Sequence, residues 1–115
     1  MHELSIALAL VEQVRRIAEK ESATRIVSIR LRVGALSGVD AEALSFCFPM
    51  AARESMAEGA QLIIDSEPLR WLCLACQQLF TLDNNQPDQL CPHCGAPDHH
   101  LTGSDDLILE SVEMS

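Results

Sequence analysis

Two pairs of cysteines, Cys73-x-x-Cys76 and Cys91-Pro92-His93-Cys94, carry the strongest chemical signal in the chain. A Cys-x-x-Cys turn aims both sulfurs at one point, so two such turns surround a tetrahedral ion. The 14 residues between Cys76 and Cys91 leave room for a short hairpin joining the turns. Pro92 and Gly95 favour the tight bend that brings backbone amides to the sulfurs. Thiolates at all four positions leave no open coordination site, which points to structural Zn(II), or another thiolate metal such as iron, and away from catalysis. A redox dithiol is the competing reading, but no βαβ pattern surrounds either pair as thioredoxin-like chemistry requires. Cys47 stands apart on a helical apolar face and reads as a small buried hydrophobe.

The opening residues Met1-His2-Glu3 offer a second, different chemistry. With the start methionine kept, the α-amine, the His2 amide nitrogen and the His2 imidazole form fused chelate rings. The Glu3 amide adds a fourth in-plane donor, or its carboxylate contributes oxygen. Planar, nitrogen-rich coordination suits Ni(II) or Cu(II). An α-amine titrates at about 7.7–8.0 and an imidazole near 6.5, so protons compete strongly with the metal. The bland alternatives are a solvated terminus and, for Glu3, a carboxylate placed at a helix N-terminus by the dipole.

Both sites need a scaffold. From Leu4 to Glu19 the apolar residues Leu4, Ala7, Leu8, Val11, Val14 and Ala18, widened by Leu10 and Ile17, make one buried helical face. Arg25 to Val33 alternates, with Val27, Ile29, Leu31 and Val33 inward and Ser28, Arg30 and Arg32 outward, as in a half-buried strand. Gly34 and Gly38 bracket a turn, and Asp40 occupies an N-cap position. A second helix is expected from there to about Met56, ended by Gly59, with Leu44, Cys47, Phe48 and Ala51 on its apolar face. Pro49 inside it should produce a kink. Residues 60–65 and Leu107 to Val112 read as strands, and between about Trp71 and His100 the periodicity disappears.

The fold class that follows is α+β: a small sheet packed with two helices, interrupted by a zinc-ribbon-like module. The expected division is residues 1–70 and 101–115 for the α/β body and 71–100 for the insert. A segment of about 30 residues cannot bury a self-sufficient core. Structural zinc, worth roughly 10–16 kcal/mol in small modules at neutral pH, would hold it together.

The 115 residues fit one domain with a small insert, and 48% hydrophobic content argues against disorder. Aromatics are only 3%, so Leu, Ile, Val and Ala must form the core. The net charge of -9 repels phosphate backbones and makes nucleic acid an improbable partner. No apolar run reaches the roughly 18 residues of a membrane span. His2, Glu3 and Glu12 interrupt any signal-peptide pattern, which leads to a cytoplasmic expectation. There paired thiols more often hold metal than form disulfides.

Met1-His2-Glu3-Leu4-Ser5-Ile6, Arg30-Leu31-Arg32-Val33-Gly34 with Leu36-Ser37, and the two cysteine pairs, in this order, resemble the HypA/HybF family of hydrogenase nickel-incorporation proteins. The resemblance covers essentially the whole chain. It implies a nickel-binding α/β domain with an inserted zinc domain. It also implies nickel ligation at Met1, His2 and Glu3, with Asp40 as a possible assistant, and zinc ligation by Cys73, Cys76, Cys91 and Cys94. Histidines of the zinc region are sometimes linked to nickel in the family, which makes His99 and His100 candidates; His93 reads as exposed surface. The implied role is a non-enzymatic nickel metallochaperone for the [NiFe]-hydrogenase large-subunit precursor. It would work with a HypB-type GTPase and act as a monomer or homodimer. The alternative is a zinc-ribbon protein-interaction module without nickel transfer.

Overall fold

Helix α1 runs from His2 to Lys20 in the computed structural model, which describes residues 2–81 and 90–115. Its buried residues are Ala7, Leu10, Val11, Val14 and Ala18, a single stripe at helical spacing. Leu8, expected in that stripe, is 53% exposed. It lies one residue beyond Ala7, about 100° around the helix, and so falls off the face that meets the sheet. On the opposite side Arg15 bridges Glu12 and Glu19, with Nε 3.0 Å from Glu12 Oε2 and Nη1 2.6 Å from Glu19 Oε1.

Strand β1 (Ile26–Val33) is central to a three-stranded sheet. It pairs parallel with β2 (Gln61–Ser66) and antiparallel with β6 (Leu107–Met114). Ile29, Leu31 and Val33 face inward as their alternation requires. Val27 does not: it is 42% exposed and Ile26 is buried in its place. The cause is a register irregularity between Ile26 and Ser28, where an extra residue breaks the period-2 alternation and turns the strand start over.

Helix α2 (Ala41–Ala52) is capped by Asp40, whose Oδ1 accepts from the Glu42 and Ala43 amides at 3.0 and 3.2 Å. Leu44, Cys47 and Phe48 are buried as the pattern indicates. Ala52 rather than Ala51 is the fully enclosed alanine. The helix stops four residues short of Met56. The Ser55 hydroxyl and amide both donate to the Ala52 carbonyl, at 2.6 and 3.0 Å, and Glu54 takes a positive φ of 62°. Those contacts satisfy the last carbonyls with a turn and not with more helix. Pro49 lies within the helix. Buried residues of α1, β1 and α2 form one continuous core, with Leu62 and Ile64 of β2 and Leu109, Val112 and Met114 of β6 packed at its margin.

The stretch without visible periodicity contains strands after all. β3 (Arg70–Cys73), β4 (Leu79–Phe80) and β5 (His99–Thr102) form a second sheet in the order β4-β3-β5, both pairings antiparallel. Strands of two to four residues are too short to establish a period, so turn residues dominate that part of the sequence. Most of the hairpin expected between Cys76 and Cys91 lies outside the described residues. A small separate core of Cys73, Cys91 and Phe80, flanked by Trp71, Cys76 and Ala96, serves this sheet.

Candidate metal centre

Two knuckles of nearly identical design bring the cysteines together. In the first, Gln77 N donates to Cys73 O at 2.9 Å and Cys73 N to Gln78 O at 3.0 Å. In the second, Gly95 N donates to Cys91 O at 2.8 Å and Cys91 N to Ala96 O at 3.0 Å. Each knuckle closes with a residue of positive φ, Gln77 at 60° and Gly95 at 78°. Glycine takes that conformation without cost, so the second knuckle meets the requirement that Gln77 meets under strain. Amides turn toward the sulfurs: Cys76 N lies 3.5 Å from Cys73 Sγ and His93 N 3.3 Å from Cys91 Sγ.

The four sulfurs of Cys73, Cys76, Cys91 and Cys94 lie within 4.8 Å of one another. Across the knuckles, Cys73 Sγ and Cys94 Sγ are 3.5 Å apart and Cys76 Sγ and Cys91 Sγ 3.8 Å. Zinc–sulfur bonds of about 2.3 Å place the sulfurs of a regular tetrahedron about 3.8 Å apart, and a disulfide requires about 2.05 Å. The spacing therefore fits one tetrahedral ion.

Proton affinities fit the same occupant. The Cys76 amide, aided by the Ala75 amide and by the Cys94 and Cys76 thiols, outweighs desolvation and brings the Cys73 thiol down to about 6. The Gln78 amide pulls Cys76 the same way, but desolvation and the surrounding sulfurs push it net up to about 12. Cys94 is also raised, the Ala96 amide being outweighed by Cys73, desolvation and Cys91. One thiolate forms readily here and further ones are opposed by its charge. A divalent cation removes that opposition, because metal binding and thiol deprotonation are coupled.

The histidines of this region part company. His93 and His100 are exposed. His99 packs edge-on against Trp71 at 5.0 Å and Phe80 at 5.5 Å between ring centroids, so its ring helps fill the small core. Its Nδ1 is enclosed without a hydrogen-bond partner among the described residues. Cys47 sits in the main core, 2% exposed, apart from the cluster.

Of the second candidate site, Met1 lies outside the described residues. His2 opens α1 with its side chain 68% exposed, and its Nδ1 is 3.8 Å from Glu3 Oε2. The same Glu3 oxygen accepts from the Asp40 amide at 3.3 Å. The structure thus brings His2 and Glu3 beside the start of α2, where Asp40 caps. The hydrogen bond between the two helix N-termini has no counterpart in the sequence pattern, which gives Glu3 as a first-turn acid and Asp40 as an N-cap; only the family resemblance had associated the two.

A family profile described as hydrogenase/urease nickel incorporation, metallochaperone, hypA matches residues 1–114. Hydrogenase maturation factor HypA of Synechococcus elongatus is 41% identical over 116 residues, which cover 99% of both chains. Hydrogenase maturation factor HybF of Klebsiella pneumoniae is 37% identical over 113 residues, 98% of each. The solution structure of the Ni metallochaperone HypA from Helicobacter pylori shares the fold, with a TM-score of 0.63 and 24% identity over 97% of this chain and 96% of that one.

Proposed function

The chain belongs to the HypA family of nickel-incorporation metallochaperones, and on that premise we propose that it carries Ni(II) at its amino terminus and delivers it during [NiFe]-hydrogenase maturation. Met1, His2 and Glu3 supply the donors, and Asp40 lends a nearby carboxylate. Zinc on Cys73, Cys76, Cys91 and Cys94 supplies a cross-link that holds the inserted module of residues 71–100 together, and takes no part in cargo exchange. The body of residues 1–70 and 101–115 carries the nickel site.

The observation that carries this reading is the Glu3 carboxylate bound to the Asp40 amide, which sets His2 at the meeting point of two helix N-termini. The opening amides of an α-helix have no intrahelical acceptor, so the His2 and Glu3 nitrogens can bind metal without breaking helical bonds. Helix dipoles at that end disfavour a cation, and the Glu3 and Asp40 carboxylates offset them. A site so balanced suits a transferable cargo. Such donors hold copper more tightly than nickel in the usual divalent order, so metal choice falls to partners and to supply.

Within this reading the partners are a HypB-type GTPase and the hydrogenase large-subunit precursor, and the compartment is the cytoplasm. Among the described residues no helix is long and apolar enough to cross a membrane. A second reading, the zinc ribbon as a protein-docking module without nickel transfer, draws support from Leu74, Leu79 and Leu90, which are 53%, 49% and 57% exposed on that module.

Isothermal titration of native and amino-terminally extended protein tests the main reading. One residue added before Met1 converts the amine to an amide and destroys the fused chelate. Nickel affinity should fall at least about tenfold while zinc content stays constant. Unchanged nickel affinity with a verified blocked amine would rule out the amino-terminal chelate and leave an internal histidine or carboxylate site to hold the nickel. No nickel binding by the native protein would leave the docking module as the better account.

A further inference from the structure

One carboxylate ties together every strand of chain that passes between the two sheets. Glu67 follows β2 on the way out to β3, and its Oε1 accepts from two backbone amides: Ala35 at 2.9 Å and Ser104 at 2.7 Å. Ala35 belongs to the turn between β1 and α2, and Ser104 to the return from β5 to β6. The Glu67 amide donates to Val33 O at 2.9 Å, which holds the residue against the end of β1. Around it, Gly34 N donates to Asp106 O and Leu36 N to Ser104 O, each at 2.9 Å.

There is no slack at this crossing. A Cβ on Gly34 would lie 2.2 Å from the Ser104 carbonyl oxygen, and one on Gly103 2.8 Å from Ala35 Cβ and 3.0 Å from Glu67 Oε1. Arg32 Nη2 stands 3.9 Å from the second carboxylate oxygen. The Ala35 and Ser104 amides, in that order, hold the Glu67 carboxyl below its usual range, so the acceptor stays charged at neutral pH.

We propose that Glu67 is the positioning residue that fixes the four-cysteine module on the helical body, by clamping both connections to the β1–α2 turn. The same turn runs on to Asp40, whose amide holds Glu3. A continuous line of contacts therefore leads from the base of β3, through Glu67 and the turn, to the amino terminus. Any consequence for metal delivery rests on the nickel reading above; the clamp itself does not.

The test uses zinc-loaded full-length protein without nickel, and compares Glu67→Ala, Glu67→Asp and Glu67→Gln. Residual dipolar couplings report whether the sheets β2-β1-β6 and β4-β3-β5 share one alignment tensor, and amide exchange reports on Ala35 and Ser104. The native protein should show one shared tensor. Glu67→Ala loses the acceptor and Glu67→Asp is one methylene too short. Both should give two tensors and exchange at Ala35 and Ser104 faster by roughly tenfold. Glu67→Gln keeps an oxygen at the same reach and should restore the single tensor, which a general loss of folding stability would not do. Should Glu67→Ala lose protection at Ile29 and Leu31 as well, the contrast between Asp and Gln decides. A shared tensor in Glu67→Asp, or two tensors in the native protein or in Glu67→Gln, overturns the proposal.

Discussion

The Asp40 amide donates to the Glu3 carboxylate at 3.3 Å, so the first turn of α1 and the first turn of α2 are joined by one hydrogen bond. Asp40 meanwhile uses its own Oδ1 to cap α2. One residue thus serves two neighbours through different atoms, its backbone nitrogen and its side-chain oxygen. Substitution can separate them, because only the side chain is exchanged.

Replacing Asp40 by Ala should lower stability by about 0.5–2 kcal/mol, the usual value of an N-cap, as measured by urea unfolding. Replacing it by Asn should leave stability within a few tenths of a kcal/mol, since Asn caps equally well. Nickel affinity in Asp40→Asn should nevertheless fall, through loss of a carboxylate near the terminus. Equal nickel binding by this well-capped variant would confine Asp40 to helix capping.

Cys73→Ala removes the thiol that the Cys76 amide makes more acidic. Elemental analysis should find its zinc lost, and amide signals of β3, β4 and β5 should collapse toward unfolded positions. Far-ultraviolet circular dichroism should keep most of its helical signal, because α1 and α2 share the other core. Cys47→Ala should retain full zinc. Stoichiometric zinc in Cys73→Ala would rule out a four-thiolate site.

Acid should act on α1 through Glu12. Its hydrogen bond to Arg15 lowers its carboxyl from 4.5 to about 2. A depressed folded-state value means that the stabilisation is complete above the unfolded value and is lost as pH falls through the folded one. Between about pH 4.5 and 2 the native protein should therefore lose stability more steeply than Glu12→Gln, as followed by unfolding midpoints at successive pH values. Parallel curves for the two proteins across that window would remove the pair from the account of acid sensitivity.

Much of the scaffold was legible because its causes are local. The spacing of Ala7, Leu10, Val11, Val14 and Ala18 follows from 3.6 residues per turn, and the inward set Ile29, Leu31 and Val33 from the two-residue period of a strand. Asp40 announces a cap by its type and place. The cysteines announce a tetrahedral site by spacing alone, because the turn in Cys-x-x-Cys is made by consecutive residues. Where a second segment intervened, the local signal misled. Pairing with β6 brings a bulge that turns Val27 outward. The Ser55 contacts to Ala52 end α2 early.

What sequence alone determined is therefore the residue content of each candidate site: four thiols at ribbon spacing, and Met1, His2 and Glu3 at the start. What only the tertiary structure decided is how those sites are held. Glu3 meets the Asp40 amide across 37 positions, and Glu67 meets Ala35 across 32 and Ser104 across 37. A carboxylate in a loop looks the same in sequence whether it faces water or two amides. The difference arises only when segments far apart in the chain converge, because a hydrogen bond depends on distance and angle in space and not on separation along the backbone.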